Sequence, residues 1–437
     1  MKQFIKFVLI ALLLDISLLG QVQIPGALGS EVPPLQTGEE AAANNVLTLG
    51  LRAGSTFDDN ALNNNLNKHS DIQYDLQPLI RFTERLRRLN WDLQYEPGVA
   101  FNQHFSSQNY FSQRSAADLS YRVTNRFTVS VHGSSSISSN PFDRFNQTTT
   151  QLGPLDQPNL SVALPRVKQI TEEASMGLDY ELSAHTFVGA TGSFSDLRYH
   201  NLLGTANGNN RLIDTRVVHG RTFIGHRFSQ MQTIGVSYDF MDLTFPHATS
   251  RTQTHSWTVF DEINLHPNMS LTIYVGPQYS HLHDQLVVDL FFFRITLPVS
   301  RTMWSPEAGA DFDWQRSHTG LRANFARRIT DGGGLIGAVQ SLSGAVRIRQ
   351  DLSKRWKGDI GGQYARNDAL GVGSAAKYRS YSGGVGLTRI LARDLSIEAR
   401  YERVHQTNIG TISGGAFSDH NRASLSLIYQ WQHPLGR

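Results

Sequence analysis

From about position 46 to its end, the chain alternates between apolar and polar residues. Leu47, Leu49, Leu51 and Ala53 share one parity, and Tyr74, Leu76, Pro78, Ile80 and Phe82 share one in the next segment. Trp91, Leu93, Tyr95, Val99 and Phe101 follow, then Met176, Leu178, Tyr180 and Leu182, then Ile234, Val236, Tyr238 and Phe240. The last segment carries Ala423, Leu425, Leu427, Tyr429 and Trp431, with mostly polar residues between them. A period of two places each set on one face of a β-strand. The opposite faces carry Gln, Asp, Glu, Arg, Ser and Gly.

Short polar turns punctuate these segments: Arg87-Arg88, Thr124-Asn125-Arg126, Ser183-Ala184-His185, Ser229-Gln230, His266-Pro267-Asn268, Arg316-Ser317-His318, Ser353-Lys354-Arg355 and Ala392-Arg393-Asp394. Several recur at about 38 residues, the length of two strands with one short and one long connection. The long connections are rich in Asn, Asp, Gly and Ser, as in Asp58 to Ser70 and Gln406 to Asp419. Eight short turns imply eighteen strands when both termini lie on the turn side; sixteen is the alternative count. Two stretches strain the pattern. Thr186 to Asp196 alternates poorly. Leu286 to Leu297 is apolar on both faces and reads as a hairpin extended beyond the membrane, with an extra strand or a plug as alternatives.

A soluble sandwich would also alternate. Three features favour lipid: the segments reach the roughly nine to eleven residues a membrane strand needs, aromatics sit near their ends as interface residues do, and an export signal precedes them. The expected fold is all-β, a closed antiparallel transmembrane β-barrel with short periplasmic turns and long extracellular loops. Residues 1–20 read as a signal peptide. Lys2 and Lys6 precede the apolar run Phe7 to Leu14, Asp15 interrupts it, and Gly20 is a candidate cleavage point. Residues 21–45 read as a periplasmic linker and 46–437 as the barrel.

Composition narrows the chemistry. There are no cysteines, which excludes disulfides and thiolate metal sites. Lys and Arg number 40 against 37 Asp and Glu, so no nucleic-acid footprint follows. Mean hydropathy is −0.31, an average that a barrel defeats because lipid-facing and lumen-facing residues alternate.

The opening stretch Leu47 to Ala61, LTLGLRAGSTFDDNA, resembles the start of porin-like and exopolysaccharide-associated outer-membrane barrels, in which a Gly-containing strand runs into an Asp-Asp-Asn loop. The C-terminal strand resembles the signal read by the barrel-assembly machinery, with Ser424, Ser426, Tyr429 and Trp431 in its places. It departs in carrying Ser where Gly is usual and a tail, Gln432 to Arg437, after the last aromatic.

Candidate site residues follow from the parity. Asp75, Asp92, Glu96, Asp118, Glu173, Asp179 and Glu181 form a prospective acidic lumen wall, and Arg322, Arg328, Arg347, Arg349 and Lys357 a basic one opposite. Facing walls of opposite charge would orient dipolar solutes; local cross-strand ion pairing is the competing reading. The loop Asn140 to Lys168 is stiffened by four prolines, and Leu152, Leu155, Asp156, Leu160 and Leu164 are its candidates for a constriction. His281-Leu282-His283-Asp284 and Asp58-Asp59-Asn60 are too short and irregular to assign a metal. No nucleophile elbow, phosphate-binding loop or zincin motif occurs, and neither an enzyme nor a cofactor is expected.

The expected function is porin-like diffusion of small hydrophilic solutes through a hydrated lumen in the outer membrane. A non-conducting surface barrel that binds a polysaccharide or protein is the alternative, and a barrel-embedded hydrolase a third. The lipid bilayer and the barrel-assembly machinery are the implied partners. The sequence leaves the oligomeric state open.

Overall fold

The computed structural model describes residues 45–435 apart from 64, 66, 141–166, 201–211, 247–249, 291–292, 335, 372–375 and 410–417. Residues 1–44, read as signal and linker, and the constriction candidates from Leu152 to Leu164 lie outside the described residues.

Eighteen strands form one sheet. They are β1 (Asn45–Asp58), β2 (Asp71–Arg85), β3 (Leu89–Asn102), β4 (Tyr110–Arg122), β5 (Phe127–Ser138) and β6 (Lys168–Glu181). Then come β7 (Thr186–His200), β8 (Thr215–Arg227), β9 (Gln232–Phe245), β10 (Ser250–His266), β11 (Met269–Leu290) and β12 (Phe293–Arg316). The ring ends with β13 (Thr319–Gly332), β14 (Ile336–Asp351), β15 (Trp356–Ala369), β16 (Lys377–Ala392), β17 (Leu395–Ile409) and β18 (Ser418–Pro434). Each strand pairs antiparallel with its chain neighbours, and β1 pairs with β18 from Val46↔Pro434 to Asp58↔Arg422. The sheet is therefore a closed barrel, which leaves no edge at the terminal seam.

Register fixes which face is which. Leu51 and Ala53 on β1 pair with Tyr429 and Leu427 on β18 and with Pro78 and Leu76 on β2, so one apolar set runs continuously round the outside. Leu427, Leu425, Ile360, Val385, Val275 and Val236 are all exposed on it. A soluble protein rarely exposes so large a contiguous apolar surface, whereas a band of this kind belongs against acyl chains. Trp91, Phe127, Trp314, Trp356 and Trp431 mark its periplasmic edge, and Trp257, Trp304, Tyr364, Tyr381 and Tyr401 mark the other. The molecule is thus a transmembrane barrel of the outer-membrane type.

The two irregular stretches have physical explanations. In Thr186 to Asp196, register turns Phe187 toward the lumen and Ala190 and Gly192 outward, which erases the alternation. Leu286 pairs with Leu297 within a hairpin that continues from Met269↔Trp314 to Leu290↔Phe293, as the extended-hairpin reading expects.

Candidate functional site

The lumen is the candidate site, and its walls are unlike one another. Near the periplasmic end of β7–β11, Phe187, Phe223, Phe260 and Tyr274 face inward and are buried as one cluster. Their rings lie flat on the wall because small residues stand beside them. A Cβ at Gly189 would run into the Phe223 ring, and one at Gly235 into Phe260. Arg227 lies 5.0 Å from the centre of the Phe187 ring and Arg221 lies 6.0 Å from that of Phe223, so the shelf is capped by guanidinium groups.

Toward the other end, a hairpin leaves the wall. The β12–β13 ladder stops at Ala308↔Arg327, but β13 and β14 stay paired to Gly332↔Ile336. The tip packs inward. Ile329 and Ala338 are buried with Leu243 and Phe245 of β9, beside Val217 and Met241. Val339 joins a second cluster with Leu197 and Tyr199 of β7 and Tyr378 of β16. The Tyr199 hydroxyl donates to the Gly333 carbonyl at 3.1 Å, and the Tyr378 hydroxyl donates to the Gly332 carbonyl at 3.1 Å. The Ile213 amide donates to the Gly334 carbonyl at 2.8 Å. Gly334 has φ +89°, and a Cβ there would strike Tyr199. Strands β7 and β16 stand nine places apart in a ring of eighteen. One hairpin tip therefore bridges opposite walls, and the lumen is narrowed at its extracellular end.

The charged residues named from sequence lie on the inner parity. Asp92 accepts from Arg81 Nε at 3.0 Å and from the Thr83 hydroxyl at 2.7 Å. Asp118 lies 2.6 Å from His132 Nδ1, Glu181 3.7 Å from Arg227, and Glu96 4.0 Å from Arg114. Glu173 is also partnered. Among the described residues, Asp75 and Asp179 make no ion pair within 4 Å, and one Asp179 oxygen is buried without a hydrogen bond. On the other wall, Arg322 reaches Asp313 at 2.8 Å, and Asp359 accepts from Arg347 at 3.3 Å and from Arg400 at 2.9 Å. Arg400 also meets Glu398 at 3.2 Å. Arg328 has partners of its own, while Arg349 and Lys357 make no ion pair among the described residues. Most of these charges are thus met by a neighbour on the same wall.

The seam between β18 and β1 is tied by side chains at its extracellular end. His420 Nδ1 lies 2.8 Å from Asp58, and Asp59 accepts from the Asn421 amide at 2.8 Å and from its side chain at 2.6 Å. Asp58, Asp59 and His420 bring potential ligand atoms within 4.8 Å of one another, but these hydrogen bonds already occupy them. Ser424 and Ser426 lie on the inner parity of β18, and Tyr429 and Trp431 on the outer.

No family model and no curated protein matches the chain. Solved structures of similar architecture exist. Pseudomonas aeruginosa OccK2 (OpdF) is 9% identical, with 90% of this chain and 99% of that one covered and a TM-score of 0.44. Acinetobacter baumannii OccAB4 is 11% identical, covering 89% and 98%, with a TM-score of 0.42. The ferric citrate transporter FecA in its unliganded form is 12% identical, covering 86% and 63%, with a TM-score of 0.46.

The inward hairpin is the feature that sequence reasoning missed. Its signals were Asp331-Gly332-Gly333-Gly334, which breaks the strand pattern, and the apolar residues on either side.

Proposed function

We propose that the protein is an outer-membrane porin-like channel for small hydrophilic solutes. One observation carries the reading: a polar inner face inside a lipid-facing shell, with a hairpin tip bridging β7 and β16 to set the narrow point. A barrel of eighteen strands is wide enough to conduct unless something fills it. The hairpin works as a constriction because Tyr199 and Tyr378 hold it from both sides. On β13–β15, the lumen-parity Arg322, Arg328, Arg347, Arg349 and Lys357 outnumber Asp351 and Asp359, which favours anions passing along that side. The acidic residues from Asp75 to Glu181 face them across the ring, and small dipolar solutes would orient between the two. The chain enters the outer membrane behind a cleaved signal and a linker, with Tyr429 and Trp431 offered to the assembly machinery. The loop residues Leu152, Leu155, Asp156, Leu160 and Leu164 serve in this reading as a second contribution to the constriction.

Planar-bilayer recording tests it. The purified protein gives stable conductance steps, and replacing Thr330 to Val339 by a two-residue turn raises the step size at least twofold. Correctly folded protein without steps would overturn the channel reading and leave a surface barrel that binds a polysaccharide or protein.

A further inference from the structure

Beyond the extracellular aromatic edge, the outward face of the wall carries charge, and its balance differs round the ring. On β6–β10 each cation meets a carboxylate. Arg198 pairs with Glu172, Arg216 lies 3.6 Å from Asp196, and Arg251 pairs with Asp242. On β15 and β16 the balance is lost. Tyr364 faces Tyr381 in the aromatic edge, and two residues further along each strand Arg366 faces Arg379 on the same outward parity. Side chains so opposed start about 5 Å apart, and like charges in such a pair repel.

Little nearby offsets that repulsion. Asp368 meets Arg366 at 3.0 Å and Lys377 at 3.8 Å, one carboxylate among three cations. Arg379 is exposed and makes no ion pair among the described residues. The same row runs through Leu342 of β14 to Arg327 of β13, which is also exposed and without an ion pair among the described residues. Arg403 of β17, opposite Gly383, is engaged by Asp419 at 2.6 Å. Residues 370–376 and 410–417, in the adjoining connections, include no Asp or Glu. Below the arginines and tyrosines the wall is bare. Gly362 faces Gly383 on the lipid parity, and a Cβ added at either would meet only backbone oxygen, at 3.4 and 3.7 Å.

We propose that this outward face of β13–β16 binds a phosphorylated lipid of the outer leaflet, with a phosphate between Arg366 and Arg379 and an acyl chain along the Gly362–Gly383 strip. The inference goes beyond the diffusion reading and needs only the barrel. Height and charge select the occupant. Two residues of strand rise about 7 Å, or about 5 Å along the membrane normal at barrel tilt, so the arginines stand just outside the acyl region, where headgroup phosphates lie. A phosphate accepts from two guanidinium groups at once, which turns a repelling cross-strand pair into a bridged one. Arg327, two strands along the row and about 10 Å from Arg366, meets a second anionic group of the same headgroup.

Native mass spectrometry of the full chain in detergent tests the site. The probe is lipid A, a glycolipid with two phosphates, titrated beside zwitterionic phosphatidylcholine. Lipid A is retained at least tenfold better, and millimolar inorganic phosphate does not displace it. Arg366→Gln with Arg379→Gln lowers the bound fraction at least fivefold; Arg379→Gln alone is used if the double variant does not fold, as judged by heat-modifiable migration. Arg198→Gln with Arg216→Gln, on the balanced side of the rim, leaves retention unchanged. Equal retention by the two double variants, or no preference over phosphatidylcholine, overturns the lipid site while leaving the channel reading intact. Displacement by inorganic phosphate assigns the arginines to a free anion and overturns the lipid.

Discussion

At the scale of single residues, the lumen is governed by two tyrosines and one glycine. Tyr199 and Tyr378 are buried, and each spends its hydroxyl on a carbonyl of the hairpin tip. A buried hydrogen bond of this kind contributes about 0.5–1.5 kcal/mol. Replacing both by Phe keeps the rings and removes the bonds, so the tip is loosened by about 1–3 kcal/mol while the wall stays intact. The expected result is flickering, larger conductance steps with unchanged heat-modifiable migration on a detergent gel; steps as quiet as those of the parent would show that apolar packing alone holds the tip. Gly334 belongs to the same device, since its positive φ and its approach to Tyr199 exclude any side chain. Nothing in the local alternation marks these tyrosines. Their parity reads as ordinary lumen-facing positions, and only the folded hairpin gives each a partner more than forty residues away.

At the scale of elements, strand identity was legible because membrane strands obey a strict rule. Every outward position meets acyl chains, so Leu425, Leu427 and Tyr429 had to be apolar and their neighbours did not. Leu427 lies midway along the β18 lipid face. Leu427→Arg therefore destabilises the barrel by about 2–4 kcal/mol, read as a lowered urea midpoint in liposomes. The lumen-facing Gln430→Arg, half-buried on the same strand, costs much less, and equal costs for the two would reverse the assignment of faces. The charged strands were half legible. Asp92, Asp118, Arg322 and Arg347 could be placed on a face by parity. That Arg81, His132, Asp313 and Asp359 answer them depends on inter-strand register, which a one-residue slip would abolish. Asp359 reaches Arg400 across Gly386 of the intervening strand, a contact no adjacent-strand rule would propose.

At the scale of the whole molecule, closure joins the two ends of the chain. The β1–β18 ladder is reinforced by Asp58 with His420 and by Asp59 with Asn421, contacts separated by more than 350 residues. Pairing strands at opposite ends of the chain carries the largest loop-closure cost in the sheet, so side-chain bonds at this seam weigh more than they would in a local hairpin. Asp59→Ala removes two hydrogen bonds from a charged acceptor, about 1.5–3 kcal/mol each. It is expected to slow refolding into liposomes and lower the unfolding midpoint; an unaltered midpoint would mean the backbone ladder alone seals the ring.

The sequence by itself determined the class of fold, a count of eighteen strands with sixteen as its alternative, and the facing of the regularly alternating strands. All three follow from local periodicity, turn chemistry and a solvent that punishes every polar outward side chain. The position of the narrow point was decided only in three dimensions. Sequence reasoning looked for it in the proline-rich loop, where length and stiffness are visible. The described structure adds a constriction at a glycine-rich turn, because the β12–β13 ladder ends at Ala308 and the freed hairpin finds apolar partners across the ring. Whether a strand stays in the wall or leaves it depends on what its neighbour can donate and what the far wall can bury, and neither is written in the strand's own residues.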